Sequence, residues 1–565
     1  MSIPFVNQSI VSITYLMSQH TSNTFKWRMS SLQPCIICWM SNRHCSYCGI
    51  ALLNTENNGW CCLQGKHISK PLPPLPFELE QLVDNSQLSA QSRVLNLIFS
   101  FAALETDGLF PSMDHHGPMG FFAASGQMYH RIHPSVSNSG AHWLLFDGYE
   151  PSLAPHQHWA NTLPRQWILF TSTTLKRVNP FVHALTKLHE LAQHHPEASV
   201  VLSDQGFYYL LLLFGNYSDY REFNVGTREI AAILHTDNTS LANIQPCELH
   251  IQFHNGRNQS ISATSRLWEP LVYPLLFPHG TLGWGLANES EGVNDGDHSS
   301  TLTWHVRGLL LREPRFRIFG HLANEYAVDM FSHILEMRLN LIKTAQLRLA
   351  SQDALLMGRP FIPDNENIYL PASFMGSKQW CANQTSDSLA LAARFPTSLT
   401  FWVIFTCNAD WPEIRDQLLP DHTWRDEPFI VIRVFKAKLI QFINTFSNMF
   451  PKSRGLQYMI ERIKFQKRGL PHAHMLFKFH ENLLHPDDID CVVSAEMPTN
   501  PDDASLIKKF MLHHHPTANR PKSTYCQSIV NGERVCRFHY PHPITNRTTV
   551  DAQGQVHYCR CHEED

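Results

Sequence analysis

Two histidines one residue apart, His472 and His474, sit in the segment Phe465-Gln-Lys-Arg-Gly-Leu-Pro-His-Ala-His-Met-Leu-Phe477. On a β-strand successive side chains alternate faces, so both imidazoles point the same way. Two neutral imidazoles side by side can hold a divalent metal ion. Gly469 and Pro471 mark where such a strand begins, and Ala473 would anchor its other face. The chain contains 34 histidines, so chance His-x-His pairs are expected, and spacing alone leaves both readings open.

Cysteine supplies the second chemistry. Of fourteen cysteines, six lie between Cys35 and Cys62 and four between Cys526 and Cys561. No secretory leader is visible, since the first basic residue is Lys26 and no apolar core precedes a small-residue cleavage site. The longest apolar run, Phe207 to Phe214, is too short to cross a bilayer. In a reducing compartment, close cysteine pairs bind metal more often than they form disulfides. Cys45-x2-Cys48 with Cys61 and either Cys62 or His67 offers four ligands for one tetrahedral Zn2+, and Cys35-x2-Cys38 adds a further close pair. The other reading is a set of unliganded buried thiols. In the C-terminal set, Cys526, Cys536, Cys559 and Cys561 lie near His539, His542 and His557, and spacing does not say which of them would ligate a second zinc.

Net charge is −4 and only 17% of residues are charged, so contact with nucleic acid requires a local basic patch. Lys452, Arg454, Arg462, Lys464, Lys467 and Arg468 form one, with Glu461 as the only acid among them. Their position beside the histidines favours phosphate contact over a merely solvated face. No Gly-x4-Gly-Lys-Ser/Thr string occurs, so no nucleoside triphosphate site is expected.

The elements that must position these groups follow from periodicity. Residues 1–34 read as a poorly ordered lead and 35–70 as a Cys-rich module; four prolines in Lys70–Pro76 then make an extended linker. Residues 77–260 read as a mixed α/β region, with strands at Ser199–Asp204 and Glu248–Phe253 and a short helix at Thr227–Leu234. Region 261–384 contains a structured loop at Pro274–Gly285 and a helix over about 324–350, where apolar residues recur at three- and four-residue steps. For 385–500 the expectation is an α+β core. Its strands are expected at Thr400–Thr406, Phe429–Phe435, Leu456–Ile463 and His472–Phe479, with helices near 436–449 and 486–496. A Cys/His-rich segment, 501–565, closes the chain.

The histidine string closely resembles the signature of Helitron rolling-circle transposases, members of the HUH endonuclease class. The resemblance extends over residues 260–565. Tyr273–Gly280, Glu325–Asp329 continuing to Glu336–Asn340, Phe405–Ile414, Arg433–Lys436 and Ser494–Pro498 are similar to family blocks in the family's order. The N-terminal cysteines resemble the family's Cys-rich module, and Cys526 and Cys536 match a family Cys pair before an aromatic-Pro step. The resemblance implies an HUH-type antiparallel sheet with flanking helices in 385–500. It implies Mg2+ or Mn2+ at the histidines, single-stranded DNA as substrate, and a nuclear location.

Two departures bear on activity. Relatives begin the string with Glu, where this chain has Lys464; Gln466, on the same strand face, is the remaining candidate for a weak oxygen ligand beside His472 and His474. The family's paired tyrosines follow on a helix, whereas Tyr525, Tyr540 and Tyr558 lie among Cys, Pro and Gly. The expectation is a truncated fragment or relic of a transposase that in intact form nicks and joins single-stranded DNA, here without nucleophile or helicase and inactive; a non-catalytic DNA-binding protein derived from the transposon is the alternative.

Overall fold

The computed structural model describes residues 37–101, 163–183, 266–285, 301–357 and 368–560, apart from single positions and short segments inside them. It also describes isolated strands between 103 and 261. The chain is mixed α/β with small, mostly antiparallel sheets. Strands β1 (Trp39–His44) and β2 (Ala51–Leu53) form an N-terminal hairpin. Strands β3 (Ala103–Thr106), β4 (Met128–Arg131), β7 (Leu249–Gln252) and β8 (Asn258–Ile261) form a four-stranded sheet, and β5 (Tyr209–Leu213) pairs with β6 (Tyr220–Asn224). The strand expected at Glu248–Phe253 corresponds to β7, while the expectations at Ser199–Asp204 and Thr227–Leu234 lie outside the described residues.

A helical core gathers α1 (Phe77–Glu80), α2 (Leu88–Phe99), α3 (Arg165–Val178), α4 (Trp268–Val272), α5 (Leu302–Arg312), α6 (Arg315–Ile318) and the first half of α7 (Gly320–Leu356). On α7 the residues Leu322, Ala323, Tyr326, Ala327, Met330 and Ile334 are buried, the spacing of one helical stripe. Beyond that stripe the helix leaves the core, and Leu341 and Leu349 are exposed. The helix is longer at both ends than the expected 324–350.

The second core is built on a three-stranded antiparallel sheet of order β10 (Leu456–Phe465), β11 (Pro471–Phe479), β9 (Phe401–Thr406). Helix α8 (Lys378–Arg394) leads into it, and the short α9 (Pro412–Arg415) follows β9. Helix α10 (Pro428–Ser447) packs on one face of the sheet. The strand expected at Phe429–Phe435 is therefore the first half of α10. The run is rich in β-branched residues, but Pro428 at the helix start has its φ preset for a helix. Ile430, Val431, Val434, Phe435, Ala437 and Leu439 are then buried along one helical face. Packing against the sheet outweighs local strand propensity here. The expected helix at 486–496 is the short α11 (Pro486–Asp490), followed by turns. After α12 (Pro501–Phe510) come two small hairpins, β12 (Gln527–Val530) with β13 (Glu533–Cys536) and β14 (Thr549–Val550) with β15 (Val556–His557).

Asp426 joins the two cores. Its carboxylate accepts from Ser89 Oγ on α2 and from the backbone N–H and hydroxyl of Thr423, and lies 3.2 Å from His321 Nε2 on α7. Burial opposes its ionisation, but these donors outweigh burial and hold the carboxyl well below the ordinary range. Arg317 and Glu427 add an ion pair across the same junction.

Candidate metal centres and nucleic-acid face

The register of β11 sets the histidine site. Ala473, Met475, Phe477 and Phe479 are buried against α10, so His472 and His474 stand on the opposite face. Their ring centroids are 5.0 Å apart. His472 pairs with Thr406 on β9 and Lys464 on β10, and His474 with Ile404 and Arg462. Trp402 lies two residues along β9, 67% exposed, with its ring centroid 6.2 Å from that of His474. At its strand positions this face has no carboxylate among the described residues. Glu461 pairs with Met475 on the buried face, where desolvation raises its pKa. Tyr458 shares the histidine face but is buried, with Phe395 at 5.4 Å.

His472 Nδ1 is buried and makes no hydrogen bond. Burial pushes the His472 pKa down, and His474 and Lys464 push the same way, so the ligand-competent neutral imidazole is favoured. These observations fit a divalent ion, whose remaining ligands would be water or phosphate oxygens. No Cys, Asp or Glu among the described residues joins the pair to make a three-ligand cluster. Gln466 lies in the turn one residue past the Phe465–Pro471 pair, and its backbone N–H donates to Leu470 O and its carbonyl accepts from Gly469. Arg462 and Lys464 of the basic strip are exposed on this face, while Lys452, Arg454, Lys467 and Arg468 lie outside the described residues.

Cys45, Cys48, Cys61 and Cys62 converge, with all four Sγ atoms within 4.8 Å of one another. Cys48 and Cys61 are 3.2 Å apart and Cys45 and Cys62 are 3.8 Å apart. The turn after Cys48 is closed by Gly49 N–H to Cys45 O, with Gly49 at φ +77°. The N–H of Gly65, at φ +86°, donates to Cys62 Sγ, and a Cβ there would meet Tyr47 Cδ1 at 2.9 Å, so only glycine suits both demands. Burial pushes the Cys61 thiol up and the Cys62 thiol up to about 11. Burial also opposes Cys45 ionisation, but backbone N–H groups of Cys48 and Tyr47 outweigh it and bring that thiol down to about 6. Four crowded thiols cannot all ionise unaided; a dication removes the conflict. His67 instead stacks on Trp304, 5.0 Å away. Cys38 lies outside the cluster, its N–H donating to Asn54 Oδ1, and Cys35 lies outside the described residues.

A second cluster joins His513, His515, Cys526 and Cys536, again within 4.8 Å. Cys536 Sγ is 3.5 Å from His513 Nε2, and His515 Nε2 is buried without a hydrogen bond. Cys526 and Cys536 flank the β12–β13 hairpin, and Arg537 N–H donates to Cys526 O. Against the cost of burial, the neighbouring His515 imidazole and the Tyr540 and Phe538 N–H groups bring the Cys536 thiol to about 7. The two histidines were not anticipated from the sequence, although the spacing of His513-x-His515 ahead of Cys526 is a usable signal. Cys559 is held elsewhere, donating its N–H to Thr548, and Cys561 lies outside the described residues. Both clusters can hold a metal ion such as zinc. The purified protein, kept reduced, is expected to carry about two Zn2+ per chain, one per four-ligand site. Elemental analysis that finds none would leave both clusters as buried thiols.

No helix among the described residues is long and apolar enough to cross a membrane. No curated protein and no solved structure matches the chain. Residues 303–477 match the family model described as the Helitron helicase-like domain at the N-terminus. The match runs from α5 through β11, taking in α10, Arg462, Lys464 and both histidines and leaving out both cysteine clusters. Over this stretch the chain is similar to the Helitron helicase-like N-terminal domain, with the paired histidines on its last matched strand.

Proposed function

We propose that the β11 histidine face is the metal- and DNA-handling face of an HUH-type domain, and that this chain holds single-stranded DNA there without cutting it. The observation that carries the reading is the register that puts His472, His474, Arg462 and Lys464 on one face, whose described strand positions hold no carboxylate. Phosphates would meet the two cations, and a divalent ion on the imidazoles would polarise a phosphate oxygen. Trp402 offers an exposed ring on which a base can stack, a sequence-tolerant contact suited to single strands.

Cleavage by this class needs a tyrosine hydroxyl aimed at the metal-bound phosphate. Tyr540 stacks on His513 and Tyr558 follows β15, neither on a helix; Tyr525 lies outside the described residues. Labelled single-stranded DNA incubated with the protein and Mn2+ should therefore give no shifted protein band on a denaturing gel. A shifted band that His472→Ala abolishes would show that a tyrosine of this chain does act. A zinc-stapled DNA-binding protein with no metal at the histidines is the second reading, favoured by the two cysteine clusters. It predicts DNA binding unaffected by Mn2+.

A further inference from the structure

Trp60, immediately before Cys61, has two guanidiniums from different parts of the chain near its ring. Arg307 on α5 places its Cζ 4.5 Å from the Trp60 ring centroid and donates to Trp60 O at 3.0 Å. Arg433 on α10 lies 5.3 Å from the same ring and 4.6 Å from Trp39, and forms a two-pronged pair with Glu56 at 2.9 and 2.6 Å. Arg433 also donates to Ala51 O, Trp39 Nε1 donates to Glu413 O, and His67 stacks on Trp304 of α5. The N-terminal module thus grips both cores through its aromatic residues, next to its four cysteines.

Apart from cysteine, the buried apolar residues of the module's own core are Ile50 and Leu52. So small a core does not hold its shape without a staple. A dication bound by four thiolates leaves a net negative centre, which is costly to bury without cations close by. Arg307 meets this need by position, since its guanidinium donates to the carbonyl of Trp60, the residue next to Cys61.

We infer that a thiophilic divalent cation, Zn2+ by ligand type, at Cys45, Cys48, Cys61 and Cys62 latches the N-terminal module onto α5 and α10, with Arg307 and Arg433 as its counter-charges. The inference rests on the cysteine metal site and not on the DNA chemistry of the histidines. Bound metal orders the two cysteine turns, the turns fix Trp60 and Glu56, and these capture the two arginines. Coupling of this kind is reciprocal: if metal favours docking, docking favours metal.

The test is a chelator titration of the full reduced chain, followed by hydrogen exchange. Peptides from 39–67 report loading of the site, and peptides from 302–312 and 428–437 report docking. Exchange in all three should accelerate over the same chelator range, and Zn2+ should restore protection. In the Arg307→Gln/Arg433→Gln protein, which keeps every ligand, the midpoint for 39–67 should fall by at least about fivefold. Acceleration in 39–67 alone, or an unshifted midpoint in the double variant, would overturn the latch. Absence of any chelator response in 39–67 would remove the metal site itself, leaving the histidine face untouched.

Discussion

Truncating Phe477 to Ala is expected to destabilise the protein by about 3–5 kcal/mol, the range for removing a fully buried aromatic ring. Phe477 is completely buried at the centre of β11, with its ring centroid 4.6 Å from that of Phe446 on α10 and 6.3 Å from that of Phe479. It pairs across the sheet with Phe401 and Met459. The cavity left by Ala would lie between sheet and helix, where Phe446 also contacts Phe401 and Phe442. The same strand carries His472 and His474, so looser packing would blur their alignment as well. Phe477→Leu keeps most of the volume and should cost much less. Urea unfolding of the wild type and both variants measures this; a loss below about 1 kcal/mol for Ala would mean the ring is not packed as described.

Replacing Lys464 by Glu should tighten Mn2+ binding by at least about tenfold, one unit of pKa-scale energy or more. Lys464 is the direct cross-strand neighbour of His472, so its ammonium repels any cation bound there. Glutamate removes that repulsion and adds the oxygen ligand that hard cations prefer. The pH dependence has a definite sign. His472 ligates only when neutral, and its folded pKa is lowered by burial, His474 and Lys464. Mn2+ binding should therefore strengthen as pH rises and be complete at a lower pH than for an ordinary histidine; in the Glu variant that midpoint should move up. The lowered pKa also means that protonation opposes folding. This contribution to stability is intact above the unfolded histidine range and declines as pH falls through it. Calorimetric Mn2+ titration at several pH values decides the matter, and unchanged or weaker binding in the variant would count against the site. No covalent DNA adduct is expected from this change, because it supplies no nucleophile.

The histidine strand was legible because a two-residue period carries both its faces: the buried Ala473, Met475 and Phe477, and the paired imidazoles. The neighbouring strand at Phe405 was legible for the same reason. Helix α10 was misread at Phe429–Phe435 because a run of β-branched and aromatic residues is locally ambiguous; the sheet beneath it decides the outcome. The N-terminal cysteine cluster was legible because close spacing alone brings Cys45 and Cys48 together, and the turn around Gly65 brings Cys62 to them. His513 and His515 were missed because their partners on the β12–β13 hairpin are brought near by tertiary folding. The contacts of Arg307 and Arg433 were hidden for the same reason, since their shared partner Trp60 is remote from both in sequence.

The central claim, that single-stranded DNA lies on the histidine face, is tested most directly by fluorescence anisotropy across a range of salt concentrations. Wild-type protein is compared with Arg462→Gln/Lys464→Gln, two exposed substitutions that leave the core intact. The account predicts weaker binding in the double variant, with a log–log salt slope shallower by about 1.4, the loss of two phosphate contacts on a single strand. Identical affinity and slope for the two proteins would place the DNA elsewhere and contradict the account.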